Sequence, residues 1–163
     1  MTFSETYLPE FDHEMANTRK LLDGVPDAKF DWKPHAKSMT LGSLAGHISD
    51  LVEWAAVVIS QEKLEITPGT QPQAAKTKAA LMASLDKNIA ESRKAIAGAT
   101  DEHLAKTWEF LYGGHSIFAM PRRDVLRNVV MNHIIHHRGQ LSVYLRLLDV
   151  PIPGMYGPSA DMN

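Results

Sequence analysis

The sequence predicts an all-α protein, an up-and-down-type four-helix bundle with a short β-hairpin before the last helix. Three observations predict it. Four segments carry apolar residues at helical spacing between capping or breaking residues. The links between them are short or rich in proline and glycine. One stretch ahead of the last segment alternates aromatic and other residues around Gly113-Gly114. Helices of this kind bury their apolar stripes against one another.

The first helix is expected to start at Ser4 or at Pro9 and to run to Leu22. Thr2 and Glu5 have capping-box spacing, which favours the early start. Pro9 favours the late one, because proline sits best in a first turn. Phe11, Met15, Thr18 and Leu22 share a face, and Asp23-Gly24 stops the helix. Residues 25–37 form a connector with Pro26 and Pro34, anchored by Phe30 and Trp32. Thr40 is the expected N-cap of the second helix, which continues to about Gln61. Its stripe is Leu44, Ile48, Leu51, Ala55 and Val58. Pro68, Gly69 and Pro72 break the chain over residues 62–73.

A third helix is expected from about Ala74 to Ala97, ending near Gly98, in a stretch of good helix formers. Residues 100–104 add a short turn. Residues 107–120 read as a hairpin, with Trp108, Phe110 and Tyr112 before the two glycines and Ile117 and Phe118 after them. An irregular loop is the alternative there. The last helix begins near Pro121 and runs to about Leu148. The tail after it, residues 149–163, holds three prolines and two glycines and is irregular. No repeat divides the chain, so residues 1–163 read as one domain.

Composition narrows the function. The chain has 163 residues, no cysteine and a formal net charge of -2. That excludes disulfides, thiolate metal sites and a cysteine nucleophile. With 17 basic against 19 acidic residues there is no electrostatic footprint for nucleic acid. No apolar run reaches the roughly 20 residues of a membrane span, and no signal segment opens the sequence. A soluble, cytoplasmic protein is expected.

The eight histidines are the informative residues, and three of them crowd together as His133, His136 and His137. Residues four apart on a helix share a face. His133 and His137 are thus able to present imidazoles to one metal ion, at about 2.0–2.1 Å. At 100° per residue they fall in the same arc as Leu126, Val130, Leu141, Tyr144 and Leu148, the expected core stripe. His47 shares the inward face of the second helix with Leu44, Leu51 and Val58. Three imidazoles converging in an apolar interior suit a zinc-type site with an open fourth position. Histidines bonded only to backbone or water are the other reading.

The remaining candidates are less specific. His136 is expected to flank the stripe or support a ligand from outside, with metal ligation as the other reading, and Gln140 to face inward as an orienting group or as a polar cap on the core edge. Asp50 and Glu53 are candidate proton acceptors or a solvated face. Arg122 and Arg123 are expected at the surface or at an anion site. His13, His35, His103 and His115 are expected at the surface.

Two segments, LGSLAGHISDLVEW and NHIIHHRGQLSVYLRLLDVPIPGMYGPSAD, resemble the DinB-like (damage-inducible) family of four-helix-bundle metalloproteins. The resemblance extends over essentially the whole chain. It implies a divalent metal, zinc or nickel, held by His47, His133 and His137. It also implies a homodimer. Some members of that family transfer low-molecular-weight thiols such as bacillithiol or mycothiol, and others are hydrolases. The expected function is therefore a metal-dependent enzyme activating water or a small thiol. A non-catalytic, metal-stabilised binding or stress-response protein is the alternative.

Overall fold

A computed structural model describes residues 1–69 and 75–162. Helix α1 spans Phe3–Asp23 and takes the early start. The Thr2 hydroxyl accepts from the Glu5 N–H at 3.2 Å, and the Glu5 carboxylate accepts from the Thr2 N–H at 2.7 Å. That reciprocal cap outweighs Pro9, which lies inside the helix. Pro9 and Glu5 are both exposed, so water can serve the carbonyl that Pro9 leaves without a donor.

The connector after α1 contains a short 3-10 turn, Asp27–Lys29, and then buries Phe30 as expected. Phe30 lies directly on Gly42. A Cβ at that glycine would fall 2.5 Å from the phenyl ring, and the Gly42 N–H donates to the Phe30 carbonyl at 2.9 Å. Only glycine leaves room for the ring to lie this close to the helix. The contact seats the start of α2, Leu41–Ser60, which Thr40 caps as the sequence predicts.

Strand β1, Lys63–Ile66, follows immediately. Helix α3 spans Lys78–Gly98 behind a Thr77 cap. Its expected start at Ala74, like Pro72 in the preceding break, lies outside the described residues; residues 75–77 are not helical. Helix α4, Asp101–Ala105, is the short turn expected after Thr100. Strands β2, Thr107–Tyr112, and β3, His115–Pro121, form the expected hairpin. Its turn holds Gly113 and Gly114 at φ +57° and +80°, the positive values a tight primed turn requires.

Three helical stretches, Arg122–Asp124, Val125–Met131 and Asn132–Leu147, run end to end and are together called α5. The middle stretch is π-helical, a departure that the apolar spacing does not reveal. Pro121 is the N-cap of this helix rather than a first-turn residue. Asp149, at φ 56°, turns the chain out of it into the irregular tail.

Two corrections to the expected class follow. The molecule is mainly helical but not all-α, because β1 pairs parallel with β2 and completes a three-stranded sheet in the order β1-β2-β3. The long helices also do not follow simple up-and-down adjacency. Both α1 and α2 pack chiefly on α3 and α5, so the consecutive helices α1 and α2 lie across the bundle from each other. The long connector makes that crossing possible. Buried polar bonds fix α3 against α2: the Asn88 amide donates to the Ser49 carbonyl at 3.0 Å, and the Ser92 hydroxyl to that of Val52 at 2.6 Å. Phe11, Leu44, Ile48, Leu85, Trp108 and Leu141 lie in the core between these elements.

Arg122 is also corrected. Its side chain is 1% exposed rather than at the surface, and it lies 3.4 Å from the carboxylate of the exposed Glu62. The guanidinium donates to the carbonyls of Val58, Gln61, Lys106 and Thr107 at 3.0–3.3 Å. It thus binds carbonyls at the C-terminal end of α2, where a helix dipole favours positive charge, and ties that end to the start of β2. Arg123 is half-exposed beside Asp124, as expected. No helix among the described residues is long and apolar enough to cross a membrane.

Candidate metal centre

His47 stands in the second turn of α2, on a half-buried line with Ser43, Asp50 and Trp54. The opposite side of the helix buries Leu41, Ala45, Ile48 and Val52. His133 and His137 stand one turn apart on α5, facing α2. The ring centroids of His47 lie 5.2 Å from those of His133 and 4.7 Å from those of His137, and the latter two are 4.6 Å apart. One nitrogen from each ring lies within 4.8 Å of the others. This is the one cluster of three metal-ligating side chains among the described residues.

All three rings are half-buried rather than enclosed in the core. The expected inward stripe of α5 is therefore displaced. Leu126 and Val130 are buried as expected, but beyond them the buried line is Ile134, Arg138, Leu141 and Leu145. A phase computed at 100° per residue assumes α-geometry throughout. Seven residues of π-helix between Val125 and Met131 wind more slowly and shift everything beyond them. The imidazoles consequently sit at the edge of the core, where a small molecule can reach them.

The protonation states suit donor groups. Burial, followed by the neighbouring His137 and His133 rings, pushes the pKa of His47 down to about 4. Burial, followed by His137 and His136, also lowers that of His133 below its ordinary value. Both rings are thus neutral at physiological pH, with a nitrogen lone pair available. At His137 the tautomer is fixed from behind. Nδ1 lies 2.8 Å from the Gln140 side-chain oxygen, which only accepts, so Nδ1 carries the proton and Nε2 is the free donor atom. Gln140 itself is exposed rather than inward-facing, and it orients the ring from the solvent side.

The other sequence candidates separate clearly. His136 is exposed beside His137 and outside the cluster. Asp50 is half-buried one turn along α2, and burial followed by Glu53 raises its carboxyl pKa; Glu53 is exposed. His13, His35 and His115 are exposed. His103 is not: it is half-buried, with Nε2 donating to the Ile59 carbonyl at 2.7 Å.

Sequence reasoning missed the group directly behind the imidazoles. Arg138, next to His137, is 2% exposed and pairs with Glu14 of α1 and Tyr156 of the tail. The available signal was an arginine at an apolar position of the stripe, four residues after Ile134 and three before Leu141.

Tested against the donors present, a divalent ion fits. A tetrahedral site needs nitrogens about 3.4 Å apart, and rings already within 4.8 Å reach that by small side-chain rotations. Three imidazoles with no carboxylate among them suit zinc or nickel and leave coordination positions open.

A family model described as the DinB superfamily matches residues 10–141. The uncharacterized protein YrdA of Bacillus subtilis (strain 168) is 26% identical over 160 residues, covering 95% of this chain and 89% of its own length. A DinB-like protein of Bacillus cereus ATCC 10987 has a similar solved structure, with a TM-score of 0.70 at 21% identity over 93% of this chain and 97% of that one. The DinB-like protein YjoA of Bacillus subtilis gives 0.67 at 20% identity over 88% and 94%. At those identities the two structures speak for the fold alone.

Proposed function

The chain belongs to the DinB superfamily, and from that premise and the imidazole cluster we propose that it is a metal-dependent enzyme, a transferase or hydrolase acting through water or a small thiol. The observation that carries this reading is the convergence of His47, His133 and His137 at the half-buried edge of the core. One nitrogen of each ring lies within 4.8 Å of the others there, an arrangement that a shared cation can bridge. A zinc or nickel ion bound there supplies a Lewis-acid position that lowers the pKa of a water or thiol.

This chain's own residues supply the rest of the site. Gln140 holds the His137 tautomer. Asp50, half-buried and more readily protonated than an ordinary aspartate, is the candidate proton acceptor. The absence of cysteine means that any thiol comes from a co-substrate. Assembly as a homodimer belongs to the same proposal.

The test is metal analysis of the purified protein, followed by screens of thiol conjugation and of hydrolysis with and without chelator. About one zinc or nickel per chain is expected, with turnover lost on chelation and restored by the metal. Stoichiometric metal without turnover in any screen would favour the non-catalytic binding protein.

The pH dependence follows from the imidazoles. Protons compete with metal at each ligand, and the depressed values of His47 and His133 delay that competition as pH falls. Metal affinity is expected to be level near neutrality, to fall in acid, and to reach a three-proton dependence only below about pH 4, where His47 titrates. The metal-free fold behaves consistently. An unfolded chain protonates His47 near 6.5 and the folded one near 4, so stability is lost as pH falls through that window. Competition titrations from pH 4 to pH 8 check this. A flat affinity across the range contradicts histidine ligation, and a three-proton slope at pH 6 contradicts the shielding of His47.

A further inference from the structure

Helix α5 is gripped on two sides at one level. His133 and His137 face His47 on α2. One residue on, and so about 100° around the helix, Arg138 points to α1. Its guanidinium donates to the Glu14 carbonyl at 2.9 Å, to the Thr18 hydroxyl at 3.1 Å, to the Glu14 carboxylate and to the Tyr156 hydroxyl. The Tyr156 hydroxyl in turn donates to the Glu14 carboxylate at 2.7 Å.

Tyr156 belongs to the irregular tail, and its residue is 67% exposed, yet its hydroxyl reaches this buried pair. The tail is fastened around it. The Asn17 amide donates to the Met155 carbonyl at 3.3 Å. Asp161 accepts from Arg146 at 3.0 and 2.6 Å and from the Ile152 N–H at 2.9 Å. The Ser159 hydroxyl closes the loop on the Ile152 carbonyl at 2.5 Å. This irregular segment, whose Val150, Ile152 and Met155 are half-buried against the core, thus ends in a hydrogen bond to the residue beside an imidazole of the cluster.

We propose that the C-terminal tail is a strap that sets the rotation of α5 through Tyr156 and Arg138, and thereby the approach of His133 and His137 to His47. Arg138 and Tyr156 are positioning residues; neither is in the imidazole cluster. The lever is mechanical. At roughly 6 Å from the helix axis, a rotation of roughly 10° moves a ring by roughly 1 Å. The nitrogens must close from within 4.8 Å to about 3.4 Å around a metal, so a displacement of that size matters. The metal arm of the inference rests on the proposed function, whereas the positioning of the rings does not.

The experiment uses the full chain with Tyr156→Phe, which removes only the hydroxyl, and Ser4→Ala as a control. Ser4 is buried and donates to the Ile96 carbonyl at 2.6 Å, so its loss loosens a contact between α1 and α3. Two readouts are needed: the off-rate of cobalt(II) or zinc, and the imidazole nitrogen resonances of the metal-free protein. Tyr156→Phe is expected to speed metal release about tenfold, as for groups that orient metal ligands from behind, and to shift the His133 and His137 resonances while leaving His103 in place. Ser4→Ala is expected to lower the melting temperature without either effect. Unmoved His133 and His137 resonances in Tyr156→Phe would overturn the strap. If the wild-type chain binds no metal but the resonances shift, the strap stands and the metal reading fails.

Discussion

Alanine at His47, His133 or His137 is expected to abolish stoichiometric metal binding in each case, while His136→Ala keeps it. The four substitutions remove the same chemical group, and only geometry separates them. Three imidazoles converge within 4.8 Å, whereas His136 is exposed beside His137 and outside that group. Two remaining imidazoles make a weak site. The stabilisation by metal should disappear with the site. With metal a hundredfold above its dissociation constant this is about 2.7 kcal/mol for the wild type and for His136→Ala, and near zero for the other three. In chelator the four variants should melt close together, because the lost rings are half-buried and leave little cavity. Metal titration with paired melts decides the matter. Loss of metal by His136→Ala and its retention by His137→Ala would reverse the assigned helix phase. Retention by all four would move any metal site elsewhere.

How much of this was legible in the sequence depends on how local each signal is. The Thr2–Glu5 box, the Thr40 cap and the Gly113-Gly114 turn are chemistry within a few residues, and each stands where the sequence puts it. Strand β1 is four residues long and pairs in parallel with a segment more than forty residues away, so nothing local marks it. The convergence of His47, His133 and His137 was legible because i,i+4 spacing on one helix and an inward histidine on another survive small errors of phase. The depth of the rings was not, because the π-helical stretch before His133 carries no obvious marker in its residues. Arg122 and Arg138 were misjudged or missed for one reason. Arginine is ordinarily a surface residue, and its burial here depends on acceptors gathered from distant segments: α2 carbonyls for one, Glu14 and Tyr156 for the other.

Removing the Glu14 carboxylate is expected to be among the most destabilising single changes on the polar groups of this protein. Glu14→Ala should lower unfolding stability by about 3–5 kcal/mol, the range for breaking a buried ion pair from one side. Glu14 is 6% exposed and Arg138 2%, so water cannot replace the lost charge. The guanidinium would keep the Glu14 backbone carbonyl and the Thr18 and Tyr156 hydroxyls as acceptors, none of them charged. Exposed pairs of the same kind should behave differently. Arg19–Asp86 is half-exposed on both sides, and Arg19→Ala should change stability little. The double variant Glu14→Leu with Arg138→Met fills the space with apolar groups and should recover most of the loss. Urea unfolding of the four chains measures all of this. A Glu14→Ala protein within 1 kcal/mol of wild type would mean that water enters beside Arg138, and the double variant would then bring no recovery. Since the same guanidinium holds Tyr156, the stable double variant should still release metal faster than the wild type, separating the pair's part in stability from its part in holding α5.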